Sequence, residues 1–528
     1  MTTNPHFKPY ANMRELLERR AAETPAKTFL YDVRDGREWT YAEFDAAVNR
    51  TADMLAAQGV RRGDVVSLFL PNSAEYIIAY FACFKSGALA GPVNSLLKAE
   101  EAAYVVGNSK AKVLLYHSQF GETVEEMQKE VSSLVAAIEF DDEINANSNF
   151  AGANIARASS AAPHGEATTP DNSWRELALE RDDEAIIIYT SGTTGKPKGC
   201  LLTHGNLLSN AQQIVDWMRF TPADRLLSVM PLFHMNAVMV TTVAALYAGA
   251  SSVVSPRFSA SRFWQIISDY EVTSFGSVAT MLSMLLATYP EGVPAGLQTK
   301  QLRFAMCGSA PVPAEVLRRF EETFGCLVIE GYGLSESTVR ATFNPPDARR
   351  RPGSCGQSIG CEIKIFDEDE REVGEGALGE IVLRGENIFK GYYENEAATE
   401  RAFRGGWFHT GDVGYADAEG FFYIVDRMSD MIIRGGENIY PREIDELLYR
   451  HPAIAAAATI GMPDELYGEE VAAFVVLKEG HAAPAEELLE YCRAHLADFK
   501  CPKTIRFLAE LPKGPTGKVL KRELTRRL

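Results

Sequence analysis

The chain reads as an α/β protein with a large N-terminal domain of parallel, helix-layered sheets that carries a small β subdomain. A small α+β C-terminal domain is expected to follow. Three observations predict this. From Trp39 to Leu115 helix-like and strand-like segments alternate, the rhythm of crossover connections on a parallel sheet. Between 356 and 426, glycine turns separate short strands. The length, 528 residues, exceeds what one ordinary core organises, and the part after Arg427 has its own helix–strand–strand–helix order over about a hundred residues.

Taken in order, the pattern predicts a helix over 41–58, a strand over 65–70, a helix over 75–87 and a strand over 90–93. The stretch 145–174, rich in Ala, Ser, Asn and Pro, reads as a surface loop. A β-branched run at 185–188 is a buried strand. The segment 226–256 has no formal charge, but Pro231, His234, Asn236 and Gly249 interrupt it, so it reads as strands around a core helix and not as a membrane span. Alternation continues to Tyr332. In the C-terminal part helices are expected over 441–450 and 484–496, with strands over 455–460 and 471–477.

Net charge is −18, which argues against nucleic acid as the main partner. The eight cysteines are scattered, with no Cys-x-x-Cys pair. That predicts neither a zinc site nor a disulfide framework, but reduced thiols in the cytoplasm. The N-terminus lacks a basic region followed by an apolar core, so no signal peptide is expected. Nothing in the sequence decides between monomer and homodimer.

One string carries most of the chemistry: Tyr189-Thr190-Ser191-Gly192-Thr193-Thr194-Gly195-Lys196-Pro197-Lys198-Gly199. Small residues let backbone N–H groups converge on an anion, hydroxyls add donors and lysines add charge. With a strand before it and a helix start expected near Leu207, it reads as a polyphosphate cradle. It is not a Walker loop, whose glycine and lysine spacing no window here fits.

This loop resembles the signature of the adenylate-forming (AMP-binding) superfamily of acyl- and aryl-CoA synthetases, and six further strings extend the resemblance. They are Met230-Pro231-Leu232-Phe233-His234, Cys307-Gly308-Ser309-Ala310-Pro311, Gly331-Tyr332-Gly333-Leu334-Ser335-Glu336, Trp407-Phe408-His409-Thr410-Gly411-Asp412, Asp426-Arg427 with Arg434-Gly435-Gly436-Glu437-Asn438, and Leu511-Pro512-Lys513-Gly514-Pro515-Thr516-Gly517-Lys518. The resemblance implies an AMP-forming acid–CoA ligase that uses ATP, Mg2+ and CoA and acts on a small-molecule carboxylic acid. It implies ATP contacts from Thr190, Ser191, Gly192, Thr193, Thr194, Gly195, Lys196 and Lys198 of the loop. Further contacts would come from Ser309, Ala310 and Pro311, from Gly331, Tyr332, Gly333, Leu334 and Ser335, and from Asp412, Arg427 and Lys518.

By the same resemblance Tyr332 stacks on adenine, Asp412 and Arg427 approach the ribose, and Glu336 holds the metal. Lys518 is the catalytic cation, and His234 stands between the acid and nucleotide sites as a gate for CoA. Arg434, Gly435, Gly436 and Glu437 face CoA. Domains of 1–427 and 428–528 meet at a hinge near Ser429, where many relatives carry Asp or Lys. The acyl pocket maps onto His234, Met235, Asn236, Val240, Ser309, Gly331, Val339 and Arg340, closest in kind to the aryl- and carnitine-type CoA ligases. In aryl-CoA ligases, by this resemblance, the position that matches Arg340 is typically small and apolar. A buried guanidinium must be paired, either with a structural carboxylate or with a polar end of the substrate. The second option points to an aromatic or short dicarboxylate, such as a phthalate isomer. Alternatives are a monocarboxylate ligase and an adenylation enzyme that loads a carrier protein.

Overall fold

The computed structural model describes residues 10–141, 155–157, 172–190, 196–308, 314–513 and 519–527. Two large sheets organise the N-terminal domain. In the first, Arg225–Ser228 pairs in parallel with Ser251–Val254 and Ser274–Ser277, and the parallel run continues through Phe304–Cys307 to Leu327–Tyr332. In the second, Val65–Phe69 lies parallel to Leu89–Pro92 and Val113–Tyr116, and Leu89–Pro92 is parallel to Glu184–Thr190. The strands of both runs are mostly buried, apolar residues alternating in places with buried serines such as Ser228, Ser252, Ser274 and Ser277, as befits strands covered on both faces.

The helix Ala74–Ser86 is buried on every side. Such a helix belongs in the middle of a large core. It takes two charges in with it, and both are paired: Glu75 with Arg34 and Arg37, Lys85 with Asp45. Tyr41–Ala57 begins at a reciprocal cap, in which Thr40 accepts from the Glu43 N–H and Glu43 accepts from the Thr40 N–H.

The glycine-punctuated region forms a separate five-stranded antiparallel sheet, Glu362–Phe366, Gly379–Arg384, Trp407–Ala416, Phe403–Arg404 and Phe422–Arg427. Its last strand ends at Arg427, and the turn Met428–Asp430 leads directly to Ile432–Arg434 of the C-terminal sheet. That sheet packs Pro441–Arg450 and Ala485–His495 around Ile432, Ile444, Leu448, Val471, Val475 and Leu488, a core of its own.

Two expectations are corrected. The 145–174 stretch contains a strand, Ile155–Arg157, antiparallel to Ala136–Glu139. The signature loop does not lead into a helix. It joins Glu184–Thr190 to an antiparallel partner, Lys198–Thr203, and only then does the helix His204–Met218 begin. Gly199-Cys200-Leu201-Leu202 supplies mostly buried positions for a strand, so the described flanks of the loop are two antiparallel strands and not a strand and a helix. Among the described residues no helix is long and apolar enough to cross a membrane.

Candidate active site

Ser191, Gly192, Thr193, Thr194 and Gly195 of the loop, Ser309, Ala310 and Pro311, and Lys518 lie outside the described residues. The described flanks of the loop show how its cations are held. Thr190 pairs across the hairpin with Lys198. The Lys196 ammonium sits 5.2 Å from the Tyr104 ring centroid and that of Lys198 sits 5.0 Å from Tyr392. Aromatic faces thus orient both lysines without neutralising them.

Tyr392 also reaches the expected metal carboxylate. Its hydroxyl donates to Glu336 Oε1 at 3.0 Å, and the short strand Gly391–Tyr392 pairs with Lys198–Thr203 at Cys200 and Leu201. A cation, a phenol and a carboxylate therefore converge beside the loop. Sequence reasoning missed Tyr392. Its only signal is a glycine-tyrosine pair, too common to single out. Among the described residues no three His, Cys, Asp or Glu side chains group as metal ligands. One carboxylate that shares a cation with nucleotide phosphates is the way Mg2+ is commonly held, and Glu336 fits it.

The ribose candidates form a triad. Tyr332 donates to Asp412 Oδ2 at 2.6 Å, and Arg427 Nε lies 3.0 Å from Asp412 Oδ1. Asp412 and Arg427 are direct cross-strand partners, so the sheet itself sets their spacing. Burial, then the adjacent Asp412 charge, pushes the Tyr332 phenol well above its ordinary pKa, which keeps it a donor. Gly331, Gly333, Leu334 and Ser335 shape the turn that presents Tyr332. A side chain at Gly333 would run into the Val339 carbonyl at 2.2 Å. Glu330, just before the turn, is buried, which raises its carboxyl to about 7, and its Oε2 accepts from the Gly353 N–H at 3.0 Å.

Of the residues expected to line the acyl pocket, the structure joins Arg340 to Asn236 and Val339. Met235, Asn236, Val240, Val339 and Arg340 are all buried, and His234 is half-buried. Two residues after His234 begins the π-helix Asn236–Val243, a rare, wide helix frequently found at functional sites. It brings Asn236 Oδ1 to 3.4 Å from Arg340 Nη2. Arg340 is 1% exposed and Nη1 donates to the Val339 carbonyl at 3.3 Å. Among the described residues its Nε–H has no hydrogen-bond partner and no carboxylate forms an ion pair with the guanidinium. The Phe343 ring stands 5.0 Å from Cζ. Burial lowers the Arg340 pKa to about 10, which still leaves it a cation at neutral pH. The main chain of this residue is fixed as well, with Asn210 bonded to both its N–H and its carbonyl.

In the C-terminal domain, Arg434 and Glu437 flank a two-residue hairpin turn. Gly435 and Gly436 both have positive φ (60° and 90°), which a mirror-image hairpin turn requires. Arg434 pairs with Glu470 at 2.8 Å and lies over the Tyr467 ring at 4.0 Å. Glu437 is exposed. Ser429 lies in the turn between the two domains, where its hydroxyl bonds to Asp430 at 3.2 Å.

The large α/β N-terminal domain followed by a small α+β C-terminal domain is the frame of an adenylate-forming enzyme. The chain belongs to the AMP-binding enzyme family: that family's model matches residues 17–393, and the model for its C-terminal domain matches residues 443–518. It is 37% identical over 518 residues to the sulfoacetate–CoA ligase of Cupriavidus necator, covering 96% of each chain. It is 34% identical to the oxalate–CoA ligase of Arabidopsis thaliana, over 92% of each. Among solved structures, ATP-bound MatB from Rhodopseudomonas palustris matches with a TM-score of 0.85 at 30% identity, over 98% of this chain and 99% of that one. The o-succinylbenzoate CoA synthetase of Bacillus subtilis with its acyl-adenylate intermediate gives 0.83 at 33% identity, over 98% of each. The chain is therefore an AMP-forming acid–CoA ligase, an enzyme that uses ATP and CoA.

Proposed function

We propose that the acid ligated to CoA carries a second anionic group, an aromatic or short dicarboxylate or its like, and that Arg340 binds it. The observation that carries this reading is the buried Arg340 guanidinium with no described acidic partner and an unbonded Nε–H. An uncompensated buried charge costs several kcal/mol, more than a ring contact and two long hydrogen bonds return. A substrate anion supplies the missing partner, bidentately. Sulfoacetate and oxalate, for which two relatives are named, each bear a second acidic group, which supports the reading. The relatives named above give no support to loading of a carrier protein.

Two half-reactions follow. A carboxylate oxygen of the acid attacks the α-phosphorus of ATP, the bond to the bridging oxygen breaks and pyrophosphate leaves. The CoA sulfur, as thiolate, then attacks the acyl carbonyl and AMP departs. Thr190, Lys196 and Lys198 with the loop between them hold the phosphates, while Tyr332, Asp412 and Arg427 fix the nucleoside. Lys518 places a cation against charge that grows on the phosphoryl oxygens. Glu336, steadied by Tyr392, would hold Mg2+, which neutralises phosphate charge when bound. The C-terminal domain, 428–528, rotates about Ser429 against 1–427. That withdraws Lys518 and presents Arg434, Gly435, Gly436 and Glu437 to CoA at the His234 gate. All eight cysteines are free, which fits a cytoplasmic enzyme.

The test is AMP release, with and without CoA, for matched pairs of mono- and diacids. Wild type should prefer the diacid, and Arg340→Val should depress its kcat/KM about a hundredfold or more while the matched monoacid loses little. Arg340→Lys should rescue only partly, because an ammonium lacks the fork. A wild type that prefers monoacids, or an Arg340→Val that lowers both alike, removes the second anion.

A further inference from the structure

The strand Trp407–Ala416 leaves register with its neighbour Gly379–Arg384 at Asp412. Leu383 and Val382 face Phe408 and His409, while Glu380 and Gly379 face Val413 and Gly414. Ile381 alone therefore stands opposite Thr410, Gly411 and Asp412, a bulge that bends the strand and re-aims its side chains. Gly411 has a φ of 71°, in the left-handed region, and among the described residues a methyl group added there would meet nothing within 4 Å. The groups that the bulge takes out of the ladder are bonded by two side chains. The Thr410 hydroxyl donates to the Ile381 carbonyl at 2.7 Å and accepts from the Asp412 N–H at 3.0 Å. Glu380 Oε1 accepts from the Gly411 N–H at 2.9 Å, and its Oε2 lies 2.7 Å from His409 Nδ1.

We propose that Thr410 and Glu380 are positioning residues for nucleotide recognition, which aim the Asp412 carboxylate at the ribose hydroxyls by fixing the bulge. This rests on the reading of Asp412 as the ribose acceptor and deepens it. Tyr332 and Arg427 hold the two carboxylate oxygens. The backbone from which the carboxylate projects is held instead by Thr410 and Glu380. A hydroxyl suits the first place because it donates and accepts at once, and β-branching restricts it to few rotamers. A carboxylate suits the second because one oxygen accepts from the bulge while His409 steadies the other. Glu380 is more than an ion-pair partner: the oxygen nearest Arg404, at 3.6 Å, is the one that faces His409, and the other is given to Gly411. With the bulge loosened, Asp412 is free to follow the charge of Arg427, its direct cross-strand partner. The carboxylate then loses the direction that two sugar hydroxyls require.

The experiment is calorimetric binding of AMP and 2′-deoxy-AMP to the full chain, which needs no acid substrate and so does not depend on Arg340. Wild type should bind AMP at least about tenfold more tightly than 2′-deoxy-AMP. Thr410→Val and Glu380→Ala should bring the two Kd values to within about threefold of each other. A general loss of packing would weaken both nucleotides alike and leave their ratio unchanged. Thr410→Ser and Glu380→Gln keep the hydroxyl and the acceptor oxygen and should retain the preference. Thermal unfolding checks the fold of each variant, and Thr410→Ala replaces Thr410→Val should the latter not fold. If Asp412→Ala abolishes the preference while folded Thr410→Val and Glu380→Ala keep it, the ribose reading stands and the positioning role is overturned. Loss of the preference in Thr410→Ser and Glu380→Gln overturns it too, because the bonds named above survive in both. A wild type without the preference, or an Asp412→Ala that keeps it, removes the ribose reading and this inference with it.

Discussion

Tyr332 and Asp412, eighty positions apart in the sequence, are joined by a 2.6 Å hydrogen bond from the phenol to Oδ2 of the carboxylate. Arg427 takes the other oxygen. The carboxylate is 3% exposed, yet it is held between a phenol and a cation and not sealed in a core. Each partner comes from a different place: the end of a parallel strand, the middle of an antiparallel strand and the end of its neighbour. Such a carboxylate is oriented before any ligand arrives, and orientation in advance is what lets one acidic group accept two sugar hydroxyls at small entropic cost.

Asp412→Ala should therefore raise KM for ATP about a hundredfold or more and abolish the preference for ATP over 2′-deoxy-ATP. Tyr332→Phe removes one charge-assisted hydrogen bond, with an expected cost near tenfold. Steady-state kinetics with both nucleotides decides the matter. If Asp412→Ala still discriminates between them as wild type does, the triad is structural.

Glu336 and Tyr392 make a similar pair on the phosphate side. Glu336→Gln should lower kcat at least about a hundredfold and shift the Mg2+ titration to higher concentration. Tyr392→Phe should cost roughly tenfold through a loosened carboxylate. The readout is pyrophosphate exchange as a function of Mg2+. Identical titration midpoints in wild type and Glu336→Gln would place the metal elsewhere.

Much of this architecture is legible in the sequence because it rests on periodicity and on strings of unusual residue types. The fully buried strands Val65–Phe69 and Ser251–Val254 announce themselves, and so does the α+β order of the C-terminal domain. Tyr332, Asp412 and Arg427 were singled out by their place in strings that resemble the superfamily's, and the structure joins the three through Asp412. What stayed hidden depends on long-range pairing. The strand Lys198–Thr203, between the loop and the helix expected near Leu207, shows itself only when Glu184–Thr190 is beside it. The π-helix at Asn236–Val243 has no pattern distinct from an apolar α-helix, because its extra residue per turn is set by packing. Whether Arg340 had a structural partner could not be read at all, since any of 71 acidic residues was available in the sequence.

His204 gives a pH-dependent stability. It is buried, its Nδ1 accepts from the Met13 N–H at 3.3 Å, and burial lowers its pKa from 6.5 to about 4. In the unfolded chain it binds a proton near pH 6.5, but in the fold only near 4, so acid favours unfolding between those values. The stability present above pH 6.5 should decline by about 3 kcal/mol on descent to pH 4 from this group alone. His204→Gln cannot take up that proton. Urea denaturation at a series of pH values should show a shallower acid slope for the variant in this window, and parallel slopes would refute the assignment.

The hinge supplies the last prediction. Only the turn Met428–Asp430 separates the strand that carries Arg427 from the strand that carries Arg434. A domain rotation therefore has to be absorbed by very few dihedrals. Ser429→Pro fixes φ near −65° and should trap one arrangement of the domains. Pyrophosphate exchange should then persist while thioester formation drops. Lys518→Ala should show the opposite pattern, because the role proposed for the lysine belongs to the first half-reaction alone. Adenylation should fall at least about a hundredfold, on the order of 3 kcal/mol, and synthetic acyl-adenylate with CoA should restore product. The two variants together separate the half-reactions. Should Ser429→Pro retain both activities, the pivot lies at another residue, and should Lys518→Ala lose both equally while folded, one domain arrangement serves both steps.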